Sequence, residues 1–135
     1  MTDPPRPPSA EIRSVLVWRA GELDGLEKAP GVLTSACCLR STAAGDRAVV
    51  YRARSEQGII GVYDFLSDAV RRADGGWSAQ GVLHRLDPHL PRADLLVDED
   101  LAGVFAHIQG RRTVPVPAAR RLMSLLPDLP FATLV

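Results

Sequence analysis

The chain has 135 residues, 46% of them hydrophobic and 24% charged, a composition typical of a single globular domain with a buried core. Its 16 basic and 16 acidic residues give a formal net charge of zero, which excludes a global positive field for non-specific nucleic-acid binding. No apolar run approaches the length needed to cross a bilayer, so we expect a cytoplasmic protein with no membrane contact.

The chain begins with a proline-rich segment, MTDPPRPPSAE, which lacks the apolar centre of a signal peptide. Residues 1–11 are therefore predicted to form an extended, poorly ordered leader, and residues 12–135 to form the domain. The first strand is predicted over Val15–Trp18. A short helix is predicted over residues 31–40, where apolar residues recur at roughly helical spacing.

The segment Gly45–Phe65 predicts a β-hairpin around which the rest of the chain is arranged. Ala48–Tyr51 and Ile59–Phe65 are apolar runs rich in β-formers, and a polar connection separates them. Gly61 interrupts the second run, which indicates either a bulge or a close approach of another group to the backbone.

The second half alternates polar excursions with short apolar runs. Residues 67–78 predict a loop or a frayed helical turn, Val82–Leu86 a strand, and Leu95–Val97 another short strand. The acids at 98–100 favour a helix start, and the apolar residues after them form one face.

The C-terminal part predicts an edge strand followed by a helix. Thr113–Val116 contains Pro115, which cannot donate to a strand ladder and so favours a sheet edge. Pro117 suits the first turn of the final helix. Leu122, Leu125 and Leu126 are predicted to face the core from this helix.

The hairpin sequence GDRAVVYRARSEQGIIGVYDF resembles the core of EVE domains, which belong to the PUA-like superfamily. The later stretch Gln109-Gly-Arg-Arg-Thr-Val-Pro-Val is similar to the late motif of the same family, and it follows the hairpin at a fitting distance. This resemblance implies an α+β fold, a small mixed β-barrel of the PUA-like type with short flanking helices. The ASCH branch of the superfamily is disfavoured, because its Lys and Glu-x-Arg signature is not evident.

The resemblance implies a binding module with no cofactor, not an enzyme. Its expected partner is DNA or RNA carrying a modified base, flipped out of the strand into a pocket, and in prokaryotes such domains accompany restriction or RNA-modification systems. The chain departs from the family at Ala29, near the position of a pocket Trp, and at Leu33-Thr34, which replace a polar pair. The alternative is therefore a structural or regulatory domain that has lost the ligand and binds a protein partner.

A pocket for a flat heterocycle needs aromatic walls and a few polar groups aimed at the base edge. The predicted ligand-binding residues, with the aromatic candidates first, are Trp18, Tyr51, Tyr63, Thr34, Ser35, Arg54, Gln109 and Arg111. Trp77 is a further candidate wall. Core packing is the open alternative for the rings, and Gln109 and Arg111 depend only on the family motif.

Other chemistry has weaker support in the sequence. Arginines at 52/54, 71/72, 111/112 and 120/121 can meet phosphates, although a solvated surface is the simpler interpretation. A metal held by His84, His89 or His107 with nearby aspartates lacks any known ligand spacing. The adjacent Cys37 and Cys38 are interpreted as small buried residues, because no motif supports a nucleophile.

Overall fold

A computed structural model of the chain describes residues 11–18, 31–53, 56–108 and 111–132. These residues form a β-sheet with a few short helices, the α+β class that the sequence predicts. Apart from Glu11, the predicted leader lies outside the described residues, so the domain boundary stays a prediction. No helix in the described ranges is long and apolar enough to cross a membrane.

The described part of the sheet is built from seven strands. They are β1 Ile12–Trp18, β2 Leu33–Cys37, β3 Arg47–Arg52, β4 Gly58–Phe65, β5 Val70–Arg71, β6 Trp77–Pro91 and β7 Arg111–Thr113. Their order across the sheet is β2-β6-β4-β3-β1-β7, with β5 paired to the start of β6. β1 runs parallel to β3, and the other pairs are antiparallel. The predicted first strand is thus confirmed, and it begins three residues earlier, at Ile12.

The predicted barrel is not confirmed. β2 and β7 are the outermost strands, and no pairing between them occurs within the described ranges. The strand predicted over Thr113–Val116 is wrong in its bounds. The edge strand is β7, which shares only Thr113 with the prediction and pairs with β1 alone among the described strands. Pro115, which cannot donate to a ladder, instead precedes a helix that begins at Val116. The sheet is therefore open here, with two faces that each carry a core.

The central hairpin is confirmed by the antiparallel pairing of β3 with β4. Every residue of β4 is buried, so its apolar side chains pack on both faces of the sheet. Both expectations for Gly61 hold. The ladder shifts register between Ile59 and Gly61, and a Cβ on Gly61 would lie 2.5 Å from the carbonyl oxygen of His84. Only glycine fits this close strand approach.

Two local predictions are wrong. Residues 31–40 contain the strand β2 instead of a helix, because pairing with β6 from Leu33 to Cys37 satisfies the backbone there. Residues 95–97 lie in and after a helix, α1 (Arg92–Leu96), which buries Leu95 and leaves Val97 exposed. Both apolar segments are too short for the spacing of their apolar residues to distinguish a helix from a strand. Within the predicted loop 67–78, β5 forms a small ladder with Trp77 and Ser78.

The helices after α1 begin as the sequence predicts. α2 (Glu99–Phe105) has Asp98 as its N-cap, with the carboxylate accepting a hydrogen bond from the backbone N–H of Asp100. α3 (Val116–Leu125) has a proline in its first turn. Leu122 is buried and Leu126 packs against the core, whereas Leu125 is 39% exposed, so its predicted core position is wrong.

Two cores cover opposite faces of the sheet because successive strand residues alternate between faces. The helix-side core joins Val49 and Tyr51 of β3 with residues of all three helices. The far-side core contains no helical residue among those described, and its members are Leu16, Trp18, Ala36, Cys38, Ala48, Val50, Ile60, Tyr63, Phe65, Ala79 and Leu83.

A buried ion pair lies at one end of the sheet. Asp64 on β4 is fully buried, and its carboxylate accepts hydrogen bonds from Arg47 Nε at 2.5 Å and Arg47 Nη2 at 3.0 Å. The same carboxylate contacts His84 Nε2 at 3.0 Å and the backbone N–H of Ala132 at 2.9 Å. The guanidinium of Arg47 also donates to the carbonyl of Pro130 at 3.3 Å. The pair therefore fastens the segment after α3 onto the sheet.

Candidate functional site

A polar pocket of about 410 Å³ lies beside the connection between β3 and β4, and we call it the rim pocket. Its size falls within the usual range for small-molecule sites. It is lined by Arg52, Glu56, Ile60, Arg85, Leu86, Asp87, Pro88 and His89.

The strand pattern explains how two distant arginines reach this pocket. Arg52 is the last residue of β3. Because strand residues alternate between faces, it lies on the same face as Ala48 and Val50, which belong to the far-side core. On β6, Arg85 follows the alternation of Leu83 in that core and pairs with Gly61 of β4. Strand β4 lies between β3 and β6, so both guanidinium groups belong to the same face of the sheet.

The pocket contains charges of both signs. Arg52 Nη1 lies 3.3 Å from Glu56 Oε2, and the Arg52 side chain is only 14% exposed whereas that of Glu56 is 74% exposed. Arg85 is exposed, and Asp87 adds a second carboxylate. Guanidinium groups donate hydrogen bonds and carboxylates accept them. The pocket can therefore pair with a ligand edge that carries both donors and acceptors.

Three of the predicted site residues come together in and beside the far-side core. Trp18 and Tyr63 are buried, with ring centroids 6.0 Å apart in an edge-to-face arrangement. The hydroxyl of Thr34 on β2 lies 2.8 Å from that of Tyr63 and also donates to the carbonyl of Gly81 at 3.3 Å. Ile60, which lines the rim pocket, belongs to the same core.

Tyr51 lies on the opposite face of the sheet from Trp18. Its ring stacks on Phe105 in the helix-side core, with centroids 5.6 Å apart, and its hydroxyl donates to Gln57 Oε1 at 3.2 Å. None of the pockets lined by the described residues is bordered by both Trp18 and Tyr51. The alternation of strand residues separates them, because Tyr51 is paired with Val17 and not with Trp18.

The remaining predicted residues are scattered or lie outside the described residues. Ser35 is exposed on β2, one position along from Thr34 and so on the other face of the strand. Arg54 and Gln109 lie outside the described residues. The backbone of Arg111 pairs with that of Leu16 in the β7–β1 ladder, but the structure does not describe the Arg111 side chain. Their binding roles stay predictions.

Burial changes the acidity of both tyrosines. Desolvation raises the pKa of Tyr63, and the hydrogen bond with Thr34 opposes that rise. Desolvation also raises the pKa of Tyr51, while the nearby charge of Arg92 opposes the increase. Both hydroxyls therefore remain neutral hydrogen-bonding groups at physiological pH.

The histidines do not assemble a metal centre within the described residues, where no group of three or more potential ligands occurs. His84 contacts the Asp64 carboxylate inside the buried ion pair, and His89 lines the rim pocket. His107 is exposed after α2. His84 and His89 are five residues apart in the sequence, but they lie in different surroundings in the structure.

Comparison with solved structures identifies the fold. A protein from Pseudomonas syringae superposes with a TM-score of 0.65 at 14% identity, covering 83% of this chain and 97% of that one. A protein from Rhodopseudomonas palustris gives 0.63 at 14% identity, covering 85% and 94%. An ASCH protein from Zymomonas mobilis, in mutant form, gives 0.54 at 12% identity, covering 83% and 94%. No protein-family model matches the sequence, and no curated protein is significantly similar to it.

The chain therefore shares its fold with these three proteins, while its resemblance to EVE domains of the PUA-like superfamily stays a prediction. The sequence interpretation missed Arg85 and Glu56 as members of the candidate site, and it named Arg52 only as a possible phosphate contact. The alternation Leu83-His84-Arg85 beside the central hairpin was the signal that could have placed Arg85 on the far-side face.

Proposed function

We propose that this chain is a nucleic-acid-binding module of the PUA-like type and not an enzyme. The observation that carries the proposal is the rim pocket, in which Arg52 and Arg85 from two strands line one concave site of about 410 Å³. Arginine is well suited to phosphates and base edges, because its planar group donates several hydrogen bonds in a fixed geometry. The similarity in fold to an ASCH protein is consistent with this function.

The ligand that best suits the pocket is a single nucleobase, and we propose a modified base flipped out of DNA or RNA. A bare phosphate would meet the carboxylates of Glu56 and Asp87 as well as the two arginines. A base edge has both acceptors, which suit the guanidinium groups, and amino or imino donors, which suit the carboxylates. The mixed charge of the pocket therefore favours a base over an isolated anion.

Stacking in this pocket would use guanidinium planes. The rings of Trp18 and Tyr63 are buried in the far-side core and do not line the pocket. Arginine planes also stack on unpaired bases. We therefore assign recognition to Arg52 and Arg85, while Trp18, Tyr63 and Ile60 belong to one core.

The test is a thermal-shift screen against normal and modified nucleosides, followed by calorimetric titration of the best ligands as short single strands. A ligand that binds only the folded state raises the melting temperature, by an amount that follows its concentration relative to the dissociation constant. Arg85→Ala is expected to weaken binding by about tenfold, corresponding to 1.4 kcal/mol from a lost charged contact.

Arg120→Ala is the matched control, because Arg120 is an exposed arginine on α3 and not part of the rim pocket. It is expected to leave nucleoside binding unchanged. Equal losses in the two variants would show that binding depends on overall charge, and the rim pocket would then not be the site. The absence of any thermal shift across the panel would contradict nucleobase recognition.

A second candidate is a protein-interaction domain without a small ligand. The burial of Trp18, Tyr51 and Tyr63 favours it, because none of these three rings offers an open face for a base. Size-exclusion chromatography with and without oligonucleotides separates the two functions. This candidate predicts an elution volume that nucleic acid does not change and that a protein partner does.

A further inference from the structure

An aromatic and basic surface lies at the other end of β6 from the rim pocket. We call it the Trp77 patch and define it as Arg40, Arg71 and Trp77. The guanidinium carbon of Arg40 lies 5.6 Å from the centroid of the half-buried Trp77 ring, within the range of a cation–π contact. Arg71 of β5 pairs with Trp77 in the β5–β6 ladder.

The patch has a local excess of positive charge in a chain whose net charge is zero. Arg72 contacts the carboxylate of Asp74 at 3.1 Å and the sulfur of Cys37 at 2.6 Å. Arg40 and Arg71 are exposed, and neither has a carboxylate partner in the described ranges. Arg40 and Arg71 therefore lie on the same side of β6 as the Trp77 ring. Arg72 is paired with Asp74 and contacts Cys37, which pairs with Ser78 and so belongs to the opposite face.

We propose that the Trp77 patch is a second contact site for single-stranded nucleic acid, which rests on the function proposed for the rim pocket. Positively charged groups that follow a backbone, together with an aromatic ring on which a base stacks, are the combination that binds single strands without sequence preference. Arg71 contacts a phosphate. A base stacks against the Arg40–Trp77 pair, since both planes accept unpaired bases.

The geometry sets the distance between the two sites. Trp77 and Arg85 are eight residues apart on β6, and their equal alternation places both side chains on the same face. At about 3.3 Å per residue the separation is about 26 Å. A stacked strand rises about 3.4 Å per nucleotide, so about eight nucleotides reach from one site to the other. Ala79 and Leu83 between them are buried, so contact occurs at the two ends.

The experiment measures the affinity of the full chain for labelled single strands of 4, 8 and 12 nucleotides by fluorescence anisotropy. The wild type is expected to bind the 12-mer at least about fivefold more tightly than the 4-mer, because stacking on one further ring adds that much. Trp77→Ala and Arg71→Ala are expected to remove this gain and leave 4-mer binding unchanged. Trp77→Phe keeps a ring and is expected to retain most of the gain.

Arg120→Ala provides the control for charge, and thermal unfolding confirms that each variant is folded. The patch is refuted if wild type and Trp77→Ala show the same length dependence, while binding of the 4-mer leaves the rim-pocket function intact. The patch is also refuted if Arg120→Ala removes as much of the gain as Arg71→Ala. If the wild type binds none of the strands, the proposed function itself fails. An equal gain with duplex of the same length would contradict base stacking.

Discussion

The buried ion pair between Arg47 and Asp64 gives the sharpest prediction about stability. Asp64→Asn preserves the shape of the side chain and replaces one carboxylate oxygen with an NH₂ group. Arg47 donates to both oxygens, and the N–H of Ala132 points at one of them. Whichever way the amide is oriented, its NH₂ group faces a donor, and the charge of Arg47 is left buried without a counter-charge.

The expected cost follows from this geometry. Removing one partner of a buried ion pair costs about 3–5 kcal/mol, because the remaining charge stays desolvated. With an unfolding entropy of about 2.1 cal/mol/K per residue, a 135-residue chain loses about 10–18 °C of melting temperature. This loss is a large fraction of the stability of an ordinary domain, which is about 5–15 kcal/mol.

Urea denaturation and thermal unfolding of Asp64→Asn and Glu56→Gln measure the difference. Glu56→Gln removes the exposed partner of Arg52 and is expected to cost less than about 1 kcal/mol, because the Glu56 carboxylate is largely solvated. The double variant Arg47→Met/Asp64→Leu is expected to lose about 1–3 kcal/mol less than the sum of its single changes, since neither charge is then left alone. A cost below about 1 kcal/mol for Asp64→Asn would refute the reasoning.

Three further predictions concern packing and pH. Gly61→Ala is expected to lower the free energy of unfolding in urea by about 1–3 kcal/mol, because the added Cβ would lie 2.5 Å from the carbonyl oxygen of His84. Gly103→Ala on α2 is the control. Its Cβ has open space, and the change is expected to stabilise the chain by about 0.5–1 kcal/mol. The pKa of Tyr63 is raised in the folded chain, so the neutral hydroxyl contributes fully to the free energy of unfolding below pH 10, and this contribution is lost as the pH rises above that value. In an alkaline titration, the free energy of unfolding of Tyr63→Phe is expected to fall less steeply than that of the wild type. The pKa of Asp98 is lowered, mainly by its hydrogen bond with Arg121, so the stability that this N-cap contributes is present above about pH 4 and is lost on acidification. Asp98→Asn is expected to remove this pH dependence of the unfolding free energy, which circular dichroism measures.

The elements that the sequence predicted well are those whose signals are local. The hairpin of β3 and β4 combines β-branched runs with a polar connection, and α2 begins at the acids that its N-terminus favours. Strand β2 was missed because its partner β6 lies more than 40 residues later, and an edge strand gains its hydrogen bonds only from that partner. The residues of β2 and their close neighbours in the sequence therefore do not show that this pairing occurs.

The candidate site shows the same limit at the level of single side chains. The sequence identified Trp18, Thr34 and Tyr63, which do lie together, but it also grouped Tyr51 with them. Whether neighbouring strand residues share a face depends on the register between strands, and a shift by one residue exchanges the faces. The parallel pairing of β1 with β3 sets Val17, not Trp18, opposite Tyr51, and so places that ring on the other core.

Burial of the aromatic residues also bears on which proposed function is correct. A ring that supports a core cannot be truncated without loss of packing, so Trp18→Ala would weaken ligand binding even if the ring never touched the ligand. Arg85 is exposed, and its replacement changes the rim pocket while leaving the far-side core in place. Loss of binding in Arg85→Ala with an unchanged melting temperature therefore distinguishes contact with the ligand from support of the fold, which the aromatic variants cannot do.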